Sequence, residues 1–245
     1  MRGVKRSCRT CSAASYCLGC RLDEQELAAF EKLAGNRRML RRGERLFSQG
    51  DSFQSLYVIQ SGSAKAYVIS EDGNQQITGF HYRGDLLGVD GMEAGMQSYT
   101  VEVLETSSIC ELSFPEFEHL YADLSGLRRQ FFTVVAAELA REKQRMLVLG
   151  KLYAEQRLAH FILDTAAHLK ARGLTSSEFM LPMTRHDIAN YLGLAVETIS
   201  RLLTRFDTAD LIRVQHRQIR LLDPARLRAL LYDTEENLIV LKATG

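Results

Sequence analysis

The chain has 245 residues, of which 46% are hydrophobic and 25% charged, and its formal net charge is +1. These values are ordinary for a folded globular protein and exclude a low-complexity or fibrous chain. No apolar run approaches the roughly 20 residues of a membrane-spanning helix, and the basic residues 1–9 precede no apolar signal stretch. We therefore expect a cytoplasmic protein with no membrane partner, long enough for two small domains.

Four of the five cysteines lie near the amino terminus. Cys8, Cys11 and Cys17 follow the spacing Cys-x2-Cys-x5-Cys, Cys20 comes three residues later, and Cys110 stands far downstream. In a reducing compartment, clustered thiols more often bind metal or sense redox state than form structural disulfides. Two sets of ligands remain open: the first three cysteines with Cys110 around one inorganic centre, or the two Cys-x2-Cys pairs around zinc.

Residues 22–126 are expected to form a β-rich sensor domain. A short helix is predicted over 22–33, where apolar residues recur at helical spacing. Short apolar runs then alternate with Gly and Asp turns, a pattern typical of an antiparallel β-roll or jelly roll. The runs are Leu46-Phe47, Leu56–Ile59, Ala66–Ile69, Gln76–Phe80, Thr100–Leu104 and Ser108–Phe114.

A long helix is predicted next, within residues 127–153. Its apolar stripe is spaced like a coiled-coil seam and comprises Phe132, Val135, Leu139, Met146 and Leu149, with Glu142 inside it. The stripe predicts a parallel homodimer in which two copies of Glu142 meet and oppose pairing by on the order of 1 kcal/mol or more. The alternative is a helix that packs only on its own sandwich.

The carboxyl-terminal residues 154–245 are expected to form a winged helix-turn-helix domain. Thr184 and Asp187 predict a capped first helix, Gly193 predicts the tight turn, and a second helix follows from about Ala195. A β-hairpin wing is predicted from Leu211 to Leu222. Between residues 184 and 228 there are eight Arg against five Asp or Glu, which favours double-stranded DNA as a partner.

Six polar residues are the candidate DNA contacts. On the second helix, Arg201 suits guanine O6 and N7, Glu197 suits a cytosine amine, and Ser200 suits a base or a phosphate. Thr184, Arg185 and Arg205 are candidate phosphate contacts that would fix the register.

These segments together resemble the fumarate-and-nitrate-reduction (FNR) regulators, the oxygen-responsive branch of the cyclic-AMP receptor protein superfamily. The resemblance covers nearly the whole chain. The residues that carry it are Thr184–Ile188, Tyr191–Leu194, Val196–Arg201, Gln76–His81, Leu104–Thr106 and the cysteine spacing.

The resemblance implies a [4Fe-4S] cluster held by Cys8, Cys11, Cys17 and Cys110, with Cys20 as a spare thiol. It also implies palindromic promoter sites of the TTGAT type, read by Glu197, Ser200 and Arg201. A charged residue matching Glu142 restrains dimerisation without the cluster, and the turn 71–74 contacts RNA polymerase. A zinc- or disulfide-based thiol sensor with the same DNA-binding domain is the alternative function.

Two other function classes are disfavoured. Relatives that bind cyclic AMP hold the ribose with a Glu and the phosphate with an Arg, whereas Val89 and Gln97 stand at the corresponding positions. An enzyme on a cupin-like sandwich needs clustered His and carboxylate ligands, whereas the six histidines are scattered. We therefore expect neither a cyclic nucleotide ligand nor enzymatic activity.

Overall fold

The computed structural model describes residues 7–232. Two compact units divide the chain, Met1–Glu138 and Leu139–Gly245, and the division falls inside the long helix. None of the helices within residues 7–232 has both the length and the hydropathy needed to cross a bilayer.

The first unit contains two four-stranded antiparallel sheets, as the sandwich prediction required. The first sheet has the strand order β1-β8-β3-β6, and the second has the order β2-β7-β4-β5. The strands are β1 (Asn36–Leu40), β2 (Arg45–Phe47), β3 (Ser55–Ser61), β4 (Ser63–Ile69), β5 (Gln75–Tyr82), β6 (Leu86–Leu87), β7 (Thr100–Val103) and β8 (Ser107–Ser113). β1 and β6 were not anticipated, because β1 is rich in arginine and β6 has only two residues.

Both faces of the first sheet are covered, so β3 is buried at six of its seven positions. Tyr57 and Ile59 point into the core between the two sheets. Leu56 and Val58 point to the other face, where Cys110 belongs to the same core. Because neighbouring residues on a strand point to opposite faces, this outer core is where the helices and the cysteines pack.

Four helices belong wholly or partly to this unit: α1 (Glu24–Leu33), α2 (Gly91–Ala94), α3 (Phe114–Asp123) and α4 (Ser125–Lys151). α1 is capped by Asp23, whose carboxylate accepts from the backbone N–H groups of Gln25 and Glu26. The sequence reading missed α3, which begins directly after β8 with Pro115 in its first turn. Glu26 in turn accepts a hydrogen bond from the backbone N–H of Gly126, at the start of α4.

The second unit has four further helices and a small sheet. They are α5 (Ala154–Ala171), α6 (Arg185–Leu192), α7 (Val196–Thr208), α8 (Pro224–Ala229), β9 (Glu178–Met180), β10 (Ile212–Gln215) and β11 (Gln218–Leu221). β10 and β11 form the predicted wing, and His216 in its turn has a positive φ of 56°. The unanticipated β9 pairs with β11, so the wing is a three-stranded sheet. The fold is thus the predicted α+β architecture.

Candidate cysteine site and DNA-reading helix

The cysteine segment, residues 7–21, is a series of tight turns with little regular structure. A short 3₁₀ turn covers Cys8–Thr10, and Ser7 caps it by accepting from the N–H of Arg9. Backbone N–H groups then point at two of the sulfurs: that of Ala13 lies 3.5 Å from Cys11 Sγ, and that of Gly19 lies 3.4 Å from Cys17 Sγ. Such donors stabilise the thiolate form that a metal requires.

Side-chain contacts hold this segment against the first sheet and its outer core. Leu18 is almost fully buried in that core. The turn before β6 must contain a glycine, because a Cβ on Gly84, where φ is +93°, would come within 2.9 Å of Tyr16. Ser12 donates a hydrogen bond to the backbone oxygen of Gln60 at the end of β3. Sequence-distant residues therefore fix the cysteine segment in place.

Four cysteines lie near one another on the outer face of the first sheet. As thiolates, Cys8 would be repelled by Cys110 and by Cys11, and Cys17 would be repelled by Cys11 and Cys8. Cys11 also acts on Cys110, which reaches the site from β8. The fold therefore places Cys110 next to cysteines about 100 positions earlier in the chain.

Cys20 has different surroundings. Its sulfur accepts a hydrogen bond from Nε2 of Gln130, on α4, at 3.2 Å. Among Cys8, Cys17 and Cys110, only Cys17 would be repelled by a Cys20 thiolate, and less strongly than by Cys11 or Cys8. Gln130 is buried, and its Oε1 has no hydrogen-bond partner within residues 7–232. Cys20 thus links the cysteine segment to the long helix.

Burial makes these thiols hard to ionise in the absence of a cation. It raises the pKa of Cys8 to about 11 and that of Cys17 to about 12. The pKa of Cys110 is also raised by burial, although the Arg37 guanidinium, opposite it on β1, acts in the other direction. At neutral pH such thiols stay protonated until a positive centre displaces the protons.

The cysteine site does not have the spacing of a single-ion site. Among the residues from 7 to 232, no three His, Cys, Asp or Glu side chains converge closely enough to hold one metal ion. Four thiolates around one tetrahedral zinc would bring their sulfurs to within about 3.8 Å of one another. The sulfurs of Cys11 and Cys17 each have a backbone N–H donor, and Arg37 lies beside Cys110, which is the kind of hydrogen bonding and charge that an iron–sulfur centre would need around its thiolate ligands.

The candidate DNA-reading helix, α7, and the helix before it, α6, are built by short-range interactions. The Thr184 hydroxyl accepts from the N–H of Asp187, and the Asp187 carboxylate accepts from the N–H of Thr184, which completes the predicted capping box. Gly193 ends α6 with a left-handed φ of 64°. Ile199, Leu203 and Phe206 bury the inner side of α7. The predicted helix-turn-helix is therefore confirmed.

The candidate base-reading residues lie on the outer side of α7. Glu197 and Arg201 are exposed and Ser200 is half-buried. Arg201 Nη2 lies 3.4 Å from the Thr198 hydroxyl, and Arg185 on α6 donates to the Ser200 hydroxyl at 3.3 Å. Both guanidiniums therefore remain at the surface.

The two remaining phosphate candidates already have partners. The hydroxyl and the backbone N–H of Thr184 are engaged in the capping box. Arg205 forms an ion pair with Glu155 at 3.1 Å, while its side chain stays mostly exposed. Thr184 thus caps α6, and Arg205 links α7 to α5.

Comparison with known proteins places both regions in one family. A family profile described as a Crp-like helix-turn-helix domain matches residues 156–230, and one described as a cyclic nucleotide-binding domain matches residues 37–123. The transcriptional activator protein Anr of Pseudomonas protegens is 40% identical over 223 residues, 91% of each chain. The fumarate and nitrate reduction regulatory protein of Escherichia coli is 40% identical over 89% of this chain and 87% of its own.

The chain belongs to the FNR family of the cyclic-AMP receptor protein superfamily. Among solved structures, FixK2 from Bradyrhizobium japonicum matches with a TM-score of 0.72 and 28% identity, covering 80% of this chain and 96% of that one. The FNR-family chain is therefore a DNA-binding transcription regulator, and its relatives are regulators rather than enzymes.

One row of apolar residues in the predicted coiled-coil seam on α4 is exposed to solvent. Phe132, Leu139 and Met146, spaced seven residues apart on α4, are 62%, 55% and 72% exposed. In the other row, Val135 packs partly against the outer core and Leu149 is half-buried. A continuous helix with apolar residues exposed at heptad spacing is typical of a two-stranded coiled coil.

Glu142 occupies the middle of the second row. Its carboxylate forms an ion pair with Arg145, one turn further along α4. Arg145 also lies over the ring of Tyr191 on α6, 5.9 Å from its centroid. Because the side chain of Glu142 is 42% exposed, water partly screens this ion pair.

In this FNR-family chain, different side chains occupy the positions that correspond to the ligand site of relatives that bind cyclic AMP. Gln97 is buried, and its Oε1 has no hydrogen-bond partner within the described part of the chain. The Gly88 N–H donates to the Tyr99 hydroxyl at 2.9 Å. A Cβ on Gly91 would come within 2.8 Å of the Phe53 ring, so this turn is already tightly packed.

Proposed function

We propose that this regulator senses oxygen through a [4Fe-4S] cluster held by Cys8, Cys11, Cys17 and Cys110. The observation that carries the proposal is the approach of Cys110, on β8, to Cys8 and Cys11 of the amino-terminal segment, whose Cys17 packs against the same outer core. When bound, the cluster supplies oxygen-sensitive redox chemistry. It also ties the segment to the sheet, because ligands from both must stay together.

The cysteine segment is also joined to the dimerisation helix. The Cys20–Gln130 hydrogen bond and the contact between Glu26 and the Gly126 N–H both reach α4 near its start. Loosening the segment would disturb these contacts and the packing of α4. We therefore infer that cluster binding favours homodimer formation along α4, and that Glu142 keeps the cluster-free protein monomeric.

In the dimer, two copies of α7 would lie about 34 Å apart and read a palindrome of TTGAT-type half-sites. Glu197, Ser200 and Arg201 would contact bases, and Arg185, Thr184 and Arg205 would fix the register on the phosphates. The exposed turn between β4 and β5, residues 71–74, is proposed to contact RNA polymerase. We propose no cyclic nucleotide ligand, because Gln97 stands where relatives that bind cyclic AMP carry the Arg that holds the phosphate.

Metal and sulfide analysis of protein purified without air tests the cluster directly. The proposal predicts four irons and four acid-labile sulfides per chain, with a broad visible absorption band. Zinc without sulfide would instead support the alternative thiol sensor and contradict the cluster.

A further inference from the structure

Gln60 is the extra residue of a β-bulge between β3 and β8. Ile59 pairs with Ile109 and Ser61 pairs with Ser108, so two residues of β3 occupy the place of one. Bulges of this kind re-aim a side chain and are frequent next to functional sites. The bulge lies two pairs along from Cys110, whose register partner is Val58.

The Gln60 side chain is buried and has a partner at each end of its amide. Its Oε1 accepts from the hydroxyl of Ser108 at 2.7 Å. Its Nε2 donates to Cys11 Sγ at 3.7 Å, a long contact that suits the large sulfur atom. Its backbone oxygen accepts from the hydroxyl of Ser12, one residue after Cys11. One residue of the sheet thus touches the cysteine segment twice.

We propose that Gln60 is a positioning residue for the cluster ligand Cys11, a role that rests on the proposed function. Ser108 fixes the orientation of the amide, because a hydroxyl that donates to Oε1 leaves Nε2 to face the sulfur. Nε2–H stabilises the bound thiolate of Cys11 and holds its position. Groups that orient metal ligands in this way typically change metal affinity about 10–100-fold when they are replaced.

The chemistry of the position favours an amide. A leucine of similar size would remove the donor to sulfur, and a glutamate would place a negative charge beside thiolates. The Ser108 hydroxyl could still donate to either carboxylate oxygen of a glutamate, so Gln60→Glu changes the sulfur contact while it keeps the contact to Ser108.

The test measures iron release without oxygen, so that ligand retention is separated from oxidation. Protein loaded with its cluster is mixed with a ferrous-iron chelator under anaerobic conditions, and the visible circular dichroism of the cluster is recorded. We expect Gln60→Leu and Gln60→Glu to release iron about tenfold faster than the wild type and to alter the dichroism bands. Ser108→Ala is expected to accelerate release roughly threefold, because the amide loses its orienting partner.

The matched control is Gln54→Leu, at an exposed position shortly before β3, which should release iron at the wild-type rate. Thermal unfolding of each cluster-free variant checks the fold. If Gln60→Leu does not fold, the iron-release rates of the single variants Ser108→Ala and Gln60→Glu test the role of Gln60. Wild-type release rates and unchanged dichroism in the Gln60 variants would overturn this role alone. A wild-type protein without iron and sulfide would overturn the proposed function itself.

Discussion

The cysteine segment and the DNA-reading helices are stabilised in opposite ways. In α6 and α7, the reader, the capping box of Thr184 and Asp187 and the left-handed Gly193 define α6 within ten residues. The cysteine segment has one 3₁₀ turn and depends on partners far along the chain. Ser12 contacts Gln60, 48 positions later, and Cys20 contacts Gln130, 110 positions later.

This difference suits a sensor joined to a reader. A segment held by a few long-range contacts can come loose at low cost while the rest of the domain stays folded. A reader with local caps and its own core keeps its shape whether or not the sensor is loaded. Under the proposed function, the switch would act on the assembly of two readers rather than on the shape of one. The predictions below test this division, from the largest expected effect to the smallest.

Replacing a cluster ligand should remove the cluster while the reader stays folded. We expect Cys17→Ser and Cys110→Ser to abolish cluster binding and to weaken anaerobic DNA binding at least about 100-fold, while α6 and α7 stay folded. The matched control Cys20→Ser should keep its iron and sulfide, because Cys20 faces Gln130. Iron loss in Cys20→Ser together with iron retention in Cys110→Ser would reverse the assignment of ligands.

Removing the acid from the seam should allow the protein to dimerise without the cluster. Glu142→Leu is expected to tighten dimerisation in air about tenfold, because two like charges no longer meet. Glu138→Leu removes the same charge one turn earlier, outside the a and d rows, and should have little effect. Analytical ultracentrifugation of the cluster-free proteins measures both. A Glu142→Leu protein that stays as monomeric as the wild type would show that the seam lies elsewhere.

A change on the outer side of α7 should alter DNA choice and leave the sensor alone. For Arg201→Ala we expect a loss of about 1–3 kcal/mol of discrimination at one guanine of the half-site. Binding titrations against the parent palindrome and single-guanine substitutions measure it. Equal weakening on every DNA would instead make Arg201 a phosphate contact.

Losing the cap of α6 should weaken only the reader. Thr184→Ala is expected to lower the free energy of unfolding by about 1 kcal/mol, because the N–H of Asp187 loses its acceptor. Thr208→Ala, at the exposed end of α7, serves as the control. Thermal unfolding and iron content are measured together. A change in iron content with Thr184→Ala would contradict the independence of the two regions.

The same contrast explains what could be predicted from the sequence. The helix-turn-helix was predictable because its signals, the Thr184–Asp187 pair and Gly193, lie next to the residues that they position. The wing was predicted from two short runs, Leu211–Val214 and Gln218–Leu222, that flank the polar His216-Arg217 turn. Its third strand, β9, was missed because three residues between helices carry too little pattern.

The cysteine site was predictable only in part. Spacing alone left Cys20 and Cys110 as competing fourth ligands, and the resemblance to the family favoured Cys110. In the tertiary structure β8 places Cys110 near Cys11, and Cys20 accepts a hydrogen bond from Gln130. The choice of the fourth ligand stays a prediction. The proposed role of Gln60 could not be predicted from the sequence, because it depends on a β-bulge that only the strand register reveals.

The most direct test of the account follows subunit mass and cluster absorbance in one sample as air is admitted. Sedimentation velocity with detection in the visible and ultraviolet ranges gives both quantities. The account predicts that the dimer fraction falls in proportion to the cluster absorbance and ends with a monomer that no longer holds its palindrome. A protein that remains a DNA-binding dimer after all cluster absorbance is gone would contradict it.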